Sequence, residues 1–358
     1  MVMVTIKDVA RQAGLSVTTV SRALNNYDDV AEATRARVRE VATALDYHPS
    51  AFARNLQGSV ANAIGLGIPN VLHRSYDMSW LEFIGGIGAT CAERDVDLLV
   101  STADVHDVDG QGFQRLVRER RVDGLIVCDI RRDDARIPYL RERRLPFVAY
   151  GRAVDDLAYP FIDVDGADGT MQVMAHVIGL GHRRIAYLGV DLAFGFSHYR
   201  FAGYSAALRR ARLCDDPALV RHGLGEQSVA PALADLLALP DPPTAVFAEA
   251  DFLGLAVLRA ARALGLAVPD DLSLAVFDDS LLVQHADPPL TAVGHSNRRL
   301  GEDAAALLLD RITDPDRPLA QRLVAPTLVV RQSTAPPGNT QLGQGVDNAA
   351  LQVYHRCK

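Results

Sequence analysis

Apolar residues recur at spacings of three and four along the first 47 residues, which is the pattern of short amphipathic helices. The segment IKDVARQAG has one apolar face, made of Ile6, Val9, Ala10 and Ala13. The segment SVTTVSRAL has another, made of Val17, Val20, Ala23 and Leu24. Neither face is large enough to stabilise so short a helix alone, so the two helices are expected to pack together.

The residues between these helices predict a tight turn. Gly14 is expected to end the first helix, because glycine adopts the left-handed conformation of a helix C-terminus at little steric cost. Ser16 is expected to cap the second helix by accepting a backbone N–H bond. A third helix in EATRARVREVATALDY, with Val38, Val41, Ala42 and Leu45 on its apolar face, would complete a helix-turn-helix unit.

The second helix carries an unusual number of short polar side chains. Ser16, Thr18, Thr19 and Ser21 could reach phosphates and base edges in the DNA major groove, and Arg22 could offer two parallel donors to guanine. Asn25 could contact phosphate or adenine. Up to Asn26, three basic residues stand against one acidic residue, in a chain with a net charge of -7. The alternative is a capped surface helix pair that binds nothing.

The next segment, HPSAFARNLQGS, predicts a helix of only two turns after Pro49. Such a helix is marginal in water and could order when DNA binds. An apolar residue such as Leu56 could then insert between base steps in the minor groove. The alternative is a plain linker between domains.

From Asn62 onward, short apolar runs alternate with helical patterns. The runs predict strands in NAIGLGI, VDLLVS, VDGLIVC, PFVAYG, RIAYLGV, TAVFAEA and LSLAVFDD. The helical patterns span 80–94, 166–180, 200–211 and 251–264. Alternation of this kind predicts parallel sheets with crossover helices, in two similar Rossmann-like α/β subdomains with a ligand cleft between them.

Composition fits a globular protein of two or three domains, with 358 residues, 49% hydrophobic and 23% charged. No apolar run approaches the roughly 20 residues of a membrane helix, and the N-terminus lacks a secretion signal, so a cytoplasmic protein without a membrane partner is expected. The four cysteines form no C-x-x-C pair, which argues against zinc and disulfides. No catalytic motif appears, and Asp163 and Asp165 are interpreted as structural, so neither catalysis nor a cofactor is expected.

Seven motifs in order resemble the lac repressor (LacI/GalR) family of bacterial transcription regulators. They are TIKDVARQAGLSVTTVSRALN, YHPSAFARNL, VDGADGT followed by GLGHRRIAYLG, RFAGYSAAL, GLAVPDDLSLAVFDDS, PPLTAV and LVVRQST. Together they extend from Thr5 to about Thr334.

The resemblance implies a helical DNA-binding headpiece over 1–48, a hinge helix and linker over 49–61, and a periplasmic-binding-protein-like core over 62–335. Within that core, the N-subdomain is expected at about 62–161 and 292–320, and the C-subdomain at about 162–291 and 321–335. The tail 336–358, rich in Gly, Gln and Asn, is predicted to be disordered. The family also implies a homodimer or a dimer of dimers on a near-palindromic operator.

Motif matching carries two sets of family positions onto this chain. The DNA-contacting positions fall on Thr5, Ser16, Val17, Thr18, Thr19, Ser21, Arg22 and Asn25, with Ala53 and Leu56 on the hinge face. The effector-contacting positions fall on Trp80, Asp165, Arg200, Asp251 and Asp278. The chain departs from the family at Gly166 and Ala250, where asparagine is common, and at YDMSW, which replaces the usual Asn-Pro-Phe-Phe.

The chemistry of the second set suits a neutral polyol, because carboxylates and a guanidinium bond adjacent hydroxyls while Trp80 covers the apolar face of a ring. Each residue also has a structural alternative. Arg200 would begin a helix and pair with an acidic neighbour, Trp80 would belong to the core, Asp251 would cap a helix, and Asp278 would hold a turn. The expected function is a repressor of carbohydrate genes controlled by a sugar or glycoside. The alternatives are a sugar-binding transport protein and an activator or corepressor-dependent regulator.

Overall fold

The computed structural model describes residues 4–47, 61–70, 78–104 and 111–338. The chain divides into two compact units after Ala61. The predicted hinge residues Ala53 and Leu56 lie outside the described residues, as does the predicted tail from residue 339 onward.

The first unit contains three helices, α1 (Ile6–Ala13), α2 (Val17–Leu24) and α3 (Glu32–Ala44). Gly14 ends α1 with φ 67° and ψ 33°, in the left-handed conformation that its sequence position predicts. The Ser16 side chain caps α2 by accepting a 3.0 Å hydrogen bond from the Thr19 backbone N–H. The small core that the helices share consists of Val9, Ala10, Val20, Ala23, Val30, Val38 and Ala42.

The expected position of Val17 on the apolar face of α2 is wrong. Val17 is 40% exposed, whereas Val20 and Ala23 are fully buried. The reason is that Leu15, in the turn before α2, packs against the core at this end of the helix. Val17 therefore presents its side chain at the surface.

The second unit is built on two six-stranded sheets. The first sheet has the order β11-β5-β4-β3-β1-β2, and every neighbouring pair is parallel. Its strands are β1 (Ala63–Asn70), β2 (Asp97–Asp104), β3 (Gly124–Val127), β4 (Phe147–Tyr150), β5 (Phe161–Val164) and β11 (Gln321–Val324). The helices of this subdomain are α4 (Met78–Glu93), α5 (Gln111–Arg118), α6 (Arg136–Glu142) and α12 (Asn297–Thr313).

Helices α4 and α12 cross at very short range because glycines face each other's backbone. A Cβ atom added to Gly86 would lie 2.0 Å from the Arg298 carbonyl oxygen, and one added to Gly301 would lie 2.1 Å from the Phe83 carbonyl oxygen. Only glycine permits this approach at either position.

The second sheet has the order β12-β10-β9-β8-β6-β7. Its strands are β6 (Ile185–Leu188), β7 (Val220–Arg221), β8 (Ala245–Ala248), β9 (Ser273–Phe277), β10 (Thr291–Gly294) and β12 (Thr327–Val329). Only β12 is antiparallel to its neighbour among these pairs. The associated helices are α7 (Gly166–Gly179), α8 (Gly195–Arg210), α9 (Glu226–Leu237), α10 (Asp251–Ala263), the short α11 (Leu281–Gln284) and a 3-10 turn over Pro217–Leu219.

The division between the subdomains differs from the expected one at three places. Strand β5 belongs to the first sheet up to Val164, β10 keeps 291–294 in the second sheet, and β11 returns 321–324 to the first. The chain crosses between the subdomains after each of these strands ends. The strands end three or four residues after the approximate bounds of 161, 291 and 320 that the resemblance implies.

None of the helices in the described part of the chain is both long enough and apolar enough to cross a membrane.

Candidate DNA-reading face and ligand cavity

The polar residues of the headpiece form an accessible surface on and around α2. Thr5, Ser16, Val17, Thr18, Arg22 and Asn25 are exposed, and Thr19 and Ser21 are half-buried. All eight headpiece residues that motif matching selects are thus reachable from solvent. Thr18 and Arg22 are exposed on α2, whereas Val20 and Ala23 are buried.

Several of these polar groups already hold one another in place. The Thr5 hydroxyl donates to the Asp8 carboxylate at 2.7 Å, and hydrogen bonds from Thr5 lower the pKa of Asp8. The Ser16 and Thr19 hydroxyls are 2.8 Å apart, and the Asn25 side-chain amide donates to the Ser21 carbonyl at 2.8 Å. Short side chains fixed in this way lose little further freedom on binding.

Arg22 has two partners that sequence reasoning did not identify. Its Nη2 atom lies 2.6 Å from the Asp29 carboxylate, and its guanidinium carbon lies 5.3 Å from the centre of the Tyr27 ring. Both partners come from the turn after α2. An acidic residue seven positions after a candidate DNA-binding arginine is the only signal of this pairing in the sequence.

A cavity of about 610 Å³ lies between the two sheets of the second unit. It is lined by residues that follow or end parallel strands of both sheets, among them Tyr150, Asp163, Ala250 and Asp278. This is where ligands bind in open α/β folds, outside the carboxyl ends of the strands.

Four of the five predicted effector residues line this cavity, namely Trp80, Arg200, Asp251 and Asp278. The fifth, Asp165, is not among the lining residues. Its carboxylate caps α7 by accepting from the Asp168 N–H at 3.1 Å and lies 3.8 Å from Arg152. Asp163, which was interpreted as purely structural, lines the cavity instead.

Arg200 is the most heavily engaged of these residues. It makes two hydrogen bonds to the Asp278 carboxylate, at 3.0 and 3.1 Å, and donates to the Glu249 carbonyl. Its guanidinium carbon lies 3.7 Å from the centre of the Phe277 ring. Burial disfavours its charge, but the Asp278 and Glu249 carboxylates outweigh burial and raise its pKa.

The expected location of Arg200 at the start of a helix is wrong. Helix α8 begins at Gly195, more than a turn earlier, because the loop after β6 ends at Phe194. Arg200 therefore projects from the second turn. The acidic partner that was considered as an alternative is present, but it comes from the end of β9 and not from a sequence neighbour.

Asp251 occupies the first position of α10 rather than its N-cap, which is Ala250. The Asp251 carboxylate accepts from the Phe252 N–H at 2.7 Å and is 7% exposed. It thus combines a local role at the helix terminus with a place in the cavity wall.

Two buried carboxyl groups lie at the cavity, Asp163 in its lining and Glu249 behind it. The Asp163 carboxylate accepts a 3.0 Å hydrogen bond from Nε of Arg152, and burial raises the pKa of Asp163 to about 6 against the lowering effect of Arg152 and Arg200. Glu249 is fully buried, and burial raises its pKa although its carboxylate accepts bonds from the Tyr187 hydroxyl, the Ser197 hydroxyl at 3.0 Å and the Val190 N–H at 2.6 Å. A carboxylate at the end of the apolar run TAVFAEA is the sequence signal for Glu249.

Trp80 belongs both to the core and to the cavity wall. It packs edge-on against Phe83, with ring centres 5.6 Å apart, and against Tyr150 at 6.3 Å. Phe194 and Phe196 stack on each other at 5.5 Å on the other subdomain. Aromatic rings therefore face the cavity from both sides.

The two subdomains contact each other directly beside the cavity. The Arg132 N–H donates to the Ala193 carbonyl at 2.8 Å, and the Gly195 N–H donates to the Ile130 carbonyl at 2.9 Å. The Tyr199 hydroxyl donates to the Ala153 carbonyl at 2.8 Å. The loop after β3 is thus paired with the loop that carries Phe194.

Comparisons with known proteins agree with both units. Residues 5–50 match the model of the lacI family of bacterial regulatory proteins, and residues 174–334 match a periplasmic binding protein-like domain. The HTH-type transcriptional repressor CytR of Escherichia coli strain K12 is 33% identical, over 92% of this chain and 96% of its own length.

Solved structures extend this agreement to the fold. A complex of the transcriptional regulator CelR with cellobiose matches with a TM-score of 0.72 and 30% identity, over 92% of this chain and 99% of the other. A lac repressor dimer bound to operator and the anti-inducer ONPF matches with a TM-score of 0.80 and 26% identity, over 93% and 100%. The chain belongs to the lacI family of bacterial regulatory proteins, and it is a DNA-binding transcriptional regulator under effector control rather than an enzyme.

Proposed function

We propose that this regulator represses genes of carbohydrate use, and that a sugar or glycoside in the cavity between the sheets controls its affinity for a near-palindromic operator. The observation that carries the proposal is the cavity itself, where Arg200, Asp278 and Trp80 converge from different elements. The cellobiose complex of CelR supports a carbohydrate ligand, and the similarity to the repressor CytR supports repression rather than activation. DNA as the target implies that the protein acts in the cytoplasm.

The eight accessible headpiece residues would contact the operator, with Arg22 donating to guanine. Arg22 would first have to exchange its contact with Asp29 for base acceptors. The ligand would act by favouring one arrangement of the two subdomains, since only a difference in affinity between two arrangements can change DNA binding.

A homodimer would place two recognition helices on successive turns of the major groove. Exposed apolar side chains support association of both subdomains with a second copy. Leu81 on α4 is 60% exposed, Val100 on the edge strand β2 is 47% exposed, and Val330 after β12 is 55% exposed. Exposed apolar residues mark an interaction site where they form a contiguous patch.

The test begins with selection of duplex DNA from a random library by the full-length protein, followed by mobility-shift titration. We expect specific, salt-sensitive binding that Arg22→Ala abolishes and that mono- or disaccharides alter in the wild type. Arg118→Ala, an exposed arginine at the end of α5, is the control and should bind like the wild type. Recovery of no preferred sequence would refute the proposal for DNA, and an operator complex indifferent to every carbohydrate would refute the proposal for the effector.

A further inference from the structure

The side chains that line the cavity carry more negative than positive charge. Six carboxylates and two guanidiniums line it. The carboxylates are those of Asp129, Asp163, Asp191, Glu226, Asp251 and Asp278, and the guanidiniums are those of Arg200 and Arg259. The lining therefore has a formal excess of four negative charges when all of these groups are ionised.

Both guanidiniums are already paired with carboxylates of the same lining. Arg200 lies 3.0 Å from Asp278, and Arg259 lies 2.9 Å from Glu226. An anionic ligand would have to compete with these carboxylates for each arginine. A cationic ligand would instead meet the formal excess of carboxylates over guanidiniums in the lining.

The surroundings do not reverse the sign of this charge. Arg152 adds one positive charge beside Asp163, but the Glu249 carboxylate, when ionised, adds one negative charge that acts on Arg200. Burial lowers the pKa of His295, so that its imidazole is neutral at neutral pH. Four helices, α7 to α10, begin near the cavity, and each N-terminus contributes roughly half a positive charge. These termini offset about half of the excess, and the cavity remains negative.

The cavity walls suit an organic cation better than a metal ion. Among the residues that the structure describes, no three His, Cys, Asp or Glu side chains come together as a possible metal site. The aromatic rings of Trp80, Tyr150 and Phe252 line the cavity, and ring faces attract organic cations. A volume of about 610 Å³ is in the range of small-molecule sites.

From this charge and these walls we propose that the ligand is positively charged, an aminated sugar or another polyhydroxylated amine. The inference rests on the proposed control by a carbohydrate and specifies its chemical class. The hydroxyls of such a ligand bond to carboxylates as those of a neutral sugar do, and its ammonium group compensates the excess of negative charge. Carboxylates that the fold already fixes lose little conformational freedom when they bind that group.

The test compares ligands that differ only at the nitrogen, by calorimetric titration of the full-length protein. One set is glucosamine, glucose and N-acetylglucosamine, and the other is the chitosan disaccharide, cellobiose and diacetylchitobiose. We expect one free amine to bind at least about tenfold more tightly than both its hydroxyl and its acetylated counterparts, with a preference that shrinks as salt is added. The acetylated member retains the nitrogen without its charge, so it separates charge from shape.

Two outcomes would overturn the inference. One is a hydroxyl or acetylated sugar that binds as tightly as its amine, and the other is the absence of binding by both amines at millimolar concentration. Mobility shift with the selected duplex, run on the same preparation, distinguishes either outcome from failure of the DNA-binding proposal.

Variants that each lack one carboxylate of the lining show which carboxylates cause the preference for the amine. Asp251→Asn and Asp191→Asn each remove one carboxylate of the lining, and each should reduce the preference for the amine several-fold without weakening the neutral sugar equally. Asp251 is buried, whereas Asp191 is exposed. Asp191→Asn therefore tests the loss of one charge without the loss of a buried group, should Asp251→Asn fail to fold. Asp270→Asn, the same change at an exposed position before β9, is the control. An unchanged preference in both lining variants would contradict the inference.

Discussion

At the scale of single residues, the sequence indicates which side chains matter better than it indicates how they are held. Arg200, Asp251, Asp278 and Trp80 were each selected with a structural alternative, and the structure supports a local structural contact for each while it also places them around one cavity. Arg200 and Asp278 are 78 positions apart. No pattern in one sequence encodes that contact, because it depends on how α8 packs beside the end of β9.

The carboxyl groups of Asp163 and Glu249 show the same limit of prediction from sequence. A carboxylate inside an apolar strand is visible in the sequence, but its partner is not. Arg152 reaches Asp163 from the loop after β4, and Tyr187 reaches Glu249 from β6. Their roles follow from the order of strands in each sheet rather than from spacing along the chain.

The buried pair of Arg200 and Asp278 predicts a large cost of substitution. Arg200→Ala leaves the Asp278 carboxylate and the Glu249 carbonyl without their donor, and the free energy of unfolding should fall by about 3 kcal/mol. Urea denaturation without ligand measures this cost.

Arg259 provides the matched control for Arg200, because it also lines the cavity and pairs with a carboxylate but is 68% exposed. Arg259→Ala should cost less than about 1 kcal/mol, as exposed pairs do. Equal losses in the two variants would show that burial of the Arg200 pair does not determine its contribution.

At the scale of elements, the sequence predicts seven strands of the described residues and misses five, of which β5 and β10 are interior and β7, β11 and β12 lie at sheet edges. All seven predicted runs form strands, six of them interior and the seventh, β2, at the edge of the first sheet. Strand β11 was not predicted, since Gln321, Arg322 and Leu323 are exposed and form no apolar run. It pairs with β5 at the edge of the sheet, where backbone hydrogen bonds suffice without burial.

The crossing of α4 and α12 predicts opposite effects for one chemical change at neighbouring positions. Gly86→Ala would place a methyl group 2.0 Å from the Arg298 carbonyl oxygen, so the helices must separate, and the free energy of unfolding should fall by about 2 kcal/mol. Urea denaturation followed by circular dichroism measures the change.

Gly85→Ala is the control in the same helix. A Cβ atom there meets nothing within 4 Å, and alanine favours the helix over glycine, so stability should rise by about 0.5 kcal/mol. A loss at Gly85 similar to the loss at Gly86 would mean that the close approach of the two helices at Gly86 does not determine the cost of its substitution.

At the scale of the whole molecule, hydrogen bonds join parts of the chain that are far apart in sequence. The loops around Arg132 and Ala193 tie one subdomain to the other beside the cavity. The segment after β12 returns across the second sheet, where the Ser333 hydroxyl accepts from the Thr291 N–H at 2.8 Å. The ligand cavity and the hydrogen-bonded segment after β12 therefore belong to the same α/β unit.

His182 connects this returning segment to the sheet. It is 1% exposed, with Nδ1 2.8 Å from the Thr244 hydroxyl and Nε2 2.8 Å from the Ala335 carbonyl. The carbonyl can only accept, so Nε2 carries the proton and Nδ1 accepts from Thr244. Burial favours this neutral imidazole over the charged form.

The preference of the folded protein for a neutral His182 predicts how its stability depends on pH. Burial lowers the pKa of His182 below its usual 6.5 although the Ala335 carbonyl favours the charged form, so between these two values the unfolded chain binds more protons than the folded one. The stabilisation is complete above 6.5 and is lost as the pH falls through the lower, folded value. Urea midpoints measured from about pH 7.5 to about pH 5.5 should fall more steeply for the wild type than for His182→Gln, whose amide can make both bonds at any pH. His285→Gln, at an exposed histidine, should retain the wild-type slope, and a His182→Gln protein with that same slope would show that the buried imidazole does not contribute to the pH dependence.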